Sequence, residues 1–169
     1  MIYSFNILAV ALLLLLGAAP LTAQVPCVSE SSLNDLFNVT AGGRLSQSSI
    51  FEDGHPERVI DGQKSGNWAT GNAARTDWES DPWWAIDLGQ SYALESLLLW
   101  YPADVYPTGF SDYCLLYSRY PFETNDLHTE LASPTVGYLH VAGAYPSGTA
   151  FPLGQVSAQY LRIQKVGEG

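Results

Sequence analysis

Basic side chains are scarce in this chain: seven Lys and Arg stand against 17 Asp and Glu in 169 residues, a formal net charge of −10. Binding nucleic acid without sequence preference needs a basic face to neutralise phosphates, so that class is excluded. The same shortage leaves no polybasic patch for an anionic membrane surface. Cysteine is equally sparse. Cys27 and Cys114 cannot make a disulfide scaffold: they form one bridge or stay apart, and Cys114 reads equally well as a buried thiol. No G-x-S-x-G elbow, H-E-x-x-H pair or phosphate-binding loop occurs. His55, His128 and His140 are scattered among different segments and read as surface residues, not zinc ligands. With no catalytic constellation, the expectation is a protein that is not an enzyme.

What the chain does have is apolar and aromatic content. Charged residues reach only 14%, against 47% hydrophobic and 12% aromatic, the reverse of a disordered composition. Residues 7–19 are almost wholly apolar, too short to span a bilayer, and followed by Pro20 and small residues. This predicts a signal peptide over 1–23 and a secreted or cell-surface protein, although residues 1–6 carry no Lys or Arg. A lead-in over 24–35 then precedes one domain over 36–169.

Past Gln24 no helical period of useful length appears. Short runs rich in aromatic and β-branched residues alternate with Gly, Pro, Asn and Asp clusters, which predicts an all-β sandwich. The clearest strands are 83–88, 93–100, 113–118, 138–142 and 160–166, with long loops at 52–56, 62–81, 102–112 and 143–149. Long loops on a rigid sandwich are where function usually sits. Trp84 and Trp100, in strands, read as core. Asn38-Val39-Thr40 is a glycosylation sequon, relevant in a eukaryotic source.

Three blocks carry a family resemblance. Asn38 to Ser49 (NVTAGGRLSQSS) is similar to the N-x-A-x-G-K-x-A-x-Q-S-S block of coagulation factor V/VIII C-type, or discoidin, domains. Arg58-Val59-Ile60-Asp61-Gly62 resembles their A-V-D-G turn, and residues 81–89 (DPWWAIDLG) resemble their P-W-W-x-V-D-L-G strand. The blocks fall in family order over roughly residues 36 to 166. The resemblance implies a galactose-binding-like jelly-roll β-sandwich, close to bacterial fucose-binding lectins and glycosidase carbohydrate-binding modules. Family members continue into a final L-S-L-A-E-V strand, so a sheet missing its last strand is expected here.

The resemblance also implies sites. A structural calcium ion would take the Arg58 and Gln63 carbonyls, the Asp61 carboxylate and an oxygen of Asn72, with a Glu of the final strand as a further ligand. Equally, Asp61-Gly62 reads as a plain turn. The His-Arg-Arg triad of fucose lectins aligns with Arg75, Pro102 and Gly109, so that route to fucose is absent. What remains in the loops is an aromatic platform beside polar groups: Trp78 or Tyr101 as platform, Arg75 and Asp104 as hydrogen-bond partners, with Asp77 and Tyr106 nearby. For Trp78 and Tyr106, core filling is the competing reading.

The implied function is a secreted, non-catalytic carbohydrate-binding module whose partner is a glycan or glycoprotein. The alternative is a cell-adhesion or protein-interaction discoidin domain without sugar binding. Coagulation-type members insert loop spikes into lipid, but Glu52, Asp53, Asp104 and Asp112 argue against an anionic membrane partner.

Overall fold

In the computed structural model the described residues are 4–12, 36–61, 73–101 and 111–168. They form eight strands: β1 Ser4–Leu12, β2 Leu36–Asn38, β3 Arg44–Gln47, β4 Ala74–Arg75, β5 Trp83–Trp100, β6 Tyr113–Ser118, β7 Val136–Val141 and β8 Thr149–Lys165. A 3-10 turn, Pro56–Val59, and one six-residue helix, α1 Leu127–Ala132, complete the set. The all-β architecture expected from the sequence is therefore the fold.

Every pairing is antiparallel, in the order β2-β1-β5-β8-β6-β7, with β3 added to β5 and β4 to β1. Two long strands make the sandwich possible. β5 and β8 pair from Trp83↔Gln164 to Leu99↔Thr149, with register shifts between Asp87 and Tyr92 and between Leu94 and Ser96. Bulges bend a strand and sharpen its twist, so one sheet folds over on itself. The first half of β5 pairs with β3 and the second half with β1.

Inside the fold lies one core. Trp84, Ile86 and Leu88 from the first half of β5 meet Leu94, Leu97 and Leu99 from the second, with Leu115, Phe151, Leu161 and Ile163. A smaller cluster, Cys114, Leu116 and Leu127, lies on the other side of β6 under α1. Trp84, Ile86, Leu88, Leu161 and Ile163 face the core as expected, and the core reading of Trp84 is borne out. The wet face expected for Arg162 and Gln164 is corrected, because Phe122, Thr124 and Asn125 cover them and both are buried. Trp100 is half-buried.

Three differences from the sequence reading have physical causes. Strands 83–88 and 93–100 are one strand, because Gly89 takes a positive φ of 79° and lets the chain bend without leaving the sheet. The strand expected at 160–166 begins already at Thr149, and Gly154 and Gln155, both at positive φ, bend it midway. The helix α1 is shorter than two turns, so no period announces it. Its start is set by Asp126, whose carboxylate accepts the Thr129 N–H at 2.7 Å.

Residues 4–12, which lie within the signal peptide expected over 1–23 and overlap its apolar 7–19 run, form β1, with backbone pairing to β5 on one side and β2 on the other. Cys27 lies outside the described residues. Cys114 is buried and carries a free thiol.

Candidate functional site

The loop 76–82, between β4 and β5, is built from hydrogen bonds to two other segments. Ser48 and Ser49 both donate their hydroxyls to Glu79 Oε1, at 2.6 and 2.5 Å. The Asp77 N–H donates to Ser49 Oγ at 2.8 Å, and the Trp83 N–H to Ser48 Oγ at 3.1 Å. From the other side, the Asp81 N–H donates to the Gly167 carbonyl, and the Gly167 N–H returns to Asp81 Oδ1 at 2.6 Å. Held at both ends, the loop presents Trp78 outward.

Trp78 is 59% exposed, and its indole Nε1–H donates to Glu168 Oε2 at 3.1 Å. An exposed ring normally spends energy on losing rotamers when it binds something. Here the hydrogen bond has already restricted it, so the ring is a preorganised stacking surface. Asp77 beside it is exposed and supplies a carboxylate acceptor.

Arg75 is committed elsewhere. Its Nη1 pairs with Glu52 Oε2 at 2.6 Å, and its guanidinium lies 4.8 Å from the Phe51 ring centroid. Gly54 packs so closely that a Cβ there would sit 2.4 Å from Arg75 Cβ. Behind this, the Gln47 amide lies within hydrogen-bond distance of the Ser49, Gly54 and Arg75 carbonyls, fastening the 48–54 loop to β4. Arg75 therefore organises the loop end, with its side chain 16% exposed.

Tyr101 is placed differently from the sequence reading. It is 4% exposed and belongs to the main core, with its hydroxyl on the Tyr145 carbonyl and its N–H on Ser147 Oγ at 3.0 Å. A ring that deep is no platform, and the Tyr101 alternative to Trp78 is corrected on that ground. Asp104 and Tyr106 lie outside the described residues. The structure thus brings Arg75, Asp77 and Trp78 onto one loop end.

Of the expected calcium donors, Gln63 and Asn72 lie outside the described residues. Arg58 sits in the 3-10 turn, its guanidinium paired with Asp53, and Asp61 follows the turn with an exposed side chain. Among the described residues no group of three or more His, Cys, Asp or Glu converges. Calcium held here would rest on carbonyl oxygens as much as on carboxylates, which suits a hard cation. His55, His128 and His140 are all exposed, and His140 Nε2 lies 3.0 Å from Asp112 Oδ1.

Sequence reasoning singled out Arg75, Asp77 and Trp78 but missed Glu79 and Glu168, which set the loop and the ring. Nothing in local sequence marks them, because their partners lie 31 and 90 residues away.

Comparison with solved structures supports the fold. A fucose binding module of Streptococcus pneumoniae superposes with a TM-score of 0.63 at 22% identity, over 78% of this chain and 88% of that one. The lectin domain of lectinolysin, complexed with Lewis B antigen, gives 0.65 at 19% identity, over 78% and 87%. A fucolectin from Morone saxatilis (striped bass) serum gives 0.65 at 21% identity, over 78% of this chain but 44% of its own. Comparison with curated protein sequences finds no match. The profile of the F5/F8 type C family described as NedA-like, galactose-binding domain matches residues 58–163, more than half of the sequence, and the chain belongs to that family.

Proposed function

We propose that this protein is a secreted, non-catalytic carbohydrate-binding module that recognises a glycan at one end of its sandwich. The observation that carries this reading is Trp78: a fixed, outward-facing indole beside a free-standing carboxylate, in a galactose-binding-type fold. Pyranose rings offer an apolar C–H face to an indole and hydroxyl edges to an acceptor, which is what Trp78 and Asp77 present. Neighbours that bind fucose or Lewis B antigen support a sugar as the ligand class. Secretion is supported by likeness to a fucolectin from serum, since the apolar segment that reads as a leader overlaps β1, which pairs with β5 and β2. A structural calcium ion held by Arg58, Asp61, Gln63 and Asn72 would brace the loop after the 3-10 turn.

The test is a glycan microarray probed with the full chain. Binding to a defined glycan set above background, lost when free glycan is added, is the expected result. An array blank at millimolar sensitivity overturns the reading.

A second reading, adhesion to a protein partner, is favoured by β7. It ends the sheet order and leaves Tyr138 and Leu139 exposed, so among the described residues it offers an unpaired strand edge with apolar side chains. On that reading Tyr138→Lys abolishes partner capture, and the array stays blank.

A further inference from the structure

The outer face of the layer made by β3, the first half of β5, the second half of β8, β6 and β7 is only half covered. Side chains directly opposite in an antiparallel pair point the same way, so cross-strand rows can be read off the register. One row runs Ser46, Ala85, Arg162, Leu116; the next runs Arg44, Asp87, Tyr160. The 119–135 segment packs α1 and Phe122 onto Leu116 and Cys114 and stops there. Beyond its edge a groove of about 280 Å³ stays open. Small Ser46 and Ala85 lie low in it, with Trp83 and Phe122 lining it as apolar walls. This is the lower end of the volume range of small-molecule sites, about 300 Å³ and upward.

The polar groups in the groove are arranged and incompletely used. The Gln159 side-chain amide donates to Asp87 Oδ1 at 2.9 Å and lies 3.1 Å from the Tyr160 hydroxyl. The Gly89 N–H also donates to Asp87 Oδ1, at 2.8 Å. These bonds fix the carboxylate, and among the described residues Oδ2 accepts no hydrogen bond and the tyrosine proton is not donated. Arg44 stands opposite Asp87 in register, exposed, and forms no hydrogen bond or ion pair among the described residues. Arg162, 5% exposed, keeps the walls in place: its guanidinium lies 4.8 Å from the Trp83 centroid and 4.3 Å from that of Phe122.

We propose that this groove is a second saccharide-binding site, which takes a neutral pyranose by its hydroxyls between Arg44, Asp87 and Tyr160. A donor-only guanidinium next to an acceptor-only carboxylate, not paired with each other, matches adjacent hydroxyls, because each hydroxyl both donates and accepts. A simple anion would face Asp87, and a simple cation would face Arg44 and Arg162. A purely apolar ligand would leave all three polar groups desolvated and unpaired. The site shares no residue with the 76–82 loop and does not depend on Trp78 binding sugar.

Amide chemical-shift mapping of the full chain, titrated separately with D-galactose, L-fucose and D-glucose at millimolar concentration, tests the proposal. Saturable shifts clustered on Arg44, Ala85, Asp87 and Tyr160 with at least one of the sugars are expected. Arg44→Ala and Asp87→Asn should each weaken them about tenfold, the worth of one charge-assisted hydrogen bond. Trp78→Ala should leave them unchanged. Static groove amides with all three sugars overturn the proposal, whatever happens at Trp78. Groove shifts that Arg44→Ala leaves intact overturn it as well. Conversely, groove shifts without any at Asp77 or Trp78 uphold the groove and count against the loop-end site.

Discussion

Trp78 and Glu168 are 90 residues apart in sequence and joined by one hydrogen bond, indole Nε1–H to carboxylate Oε2, at 3.1 Å. Through it the last described residue sets the posture of Trp78, the most exposed tryptophan among the described residues. The adjoining bridge between Ser80 and Glu168 and the Asp81–Gly167 pair make the two segments one unit. Preorganisation of this kind appears as affinity, because the ordering cost has been met before the ligand arrives.

Glu168→Ala should therefore weaken glycan binding at Trp78 about three- to tenfold while changing stability by less than about 0.5 kcal/mol, as for an exposed side chain. Calorimetric titration beside a urea melt separates the two effects. Unchanged affinity would mean that the ring needs no such anchor.

Arg162 makes the opposite case, a charge serving the fold. Burial pushes its guanidinium below the ordinary value, and nearby Glu130 opposes that shift. Its Nη1 donates to the Thr124 carbonyl at 2.8 Å, and the Thr124 N–H in turn donates to buried Glu130 at 2.7 Å. Arg162→Ala should cost about 2–4 kcal/mol through the lost stack and the unpaired carbonyl. Arg162→Lys should recover only part of this, since an ammonium cannot lie flat between Trp83 and Phe122. Full recovery by Lys in a denaturant melt would show that charge alone matters.

Alkaline pH acts on β6. Burial raises the Cys114 thiol, with Asp112 adding to the shift, and burial likewise raises the Tyr113 phenol. Both groups have folded values above their unfolded ones, so the folded state holds its protons longer. The associated stability is complete below the unfolded thiol value, about 8.5, and is lost as pH rises from there toward the folded values. The melting temperature should fall above that pH, and Cys114→Ala should remove part of the fall. A flat profile from about pH 8 to 10 would contradict the raised Cys114 thiol, whereas loss from Tyr113 sets in only above its unfolded value, about 10.

Calcium, if held at the 58–72 loop, stabilises only the folded chain, by about 2.7 kcal/mol at a hundredfold excess over its dissociation constant. Asp61→Ala should erase the calcium-dependent rise in melting temperature. An equal rise in both proteins would leave Asp61-Gly62 as a turn.

The strands were legible where apolar side chains recur at every second position, as Trp84, Ile86 and Leu88 or Leu161 and Ile163 do, all of them in the core. Pro152 and Gly154 interrupt the run, so the first half of β8 was not read as a strand, yet it pairs with β5 through its register shifts. At the loop end, Trp78 was visible as an aromatic among polar residues. The burial of Tyr101 was not, because Tyr145 and Ser147, which receive it, come from a distant turn. The groove on the outer face was wholly hidden. It exists through the register that sets Arg44 opposite Asp87 and Asp87 opposite Tyr160, and no local pattern encodes that.

The measurement that bears most directly on sugar recognition at the loop end is a calorimetric titration of the full chain with its strongest array glycan, repeated on Trp78→Ala. The indole is exposed and outside the core, so the variant should fold with an unchanged melt. Its affinity for the glycan should drop at least about tenfold, as for loss of a stacking platform. Equal affinities in the two proteins would contradict recognition at Trp78.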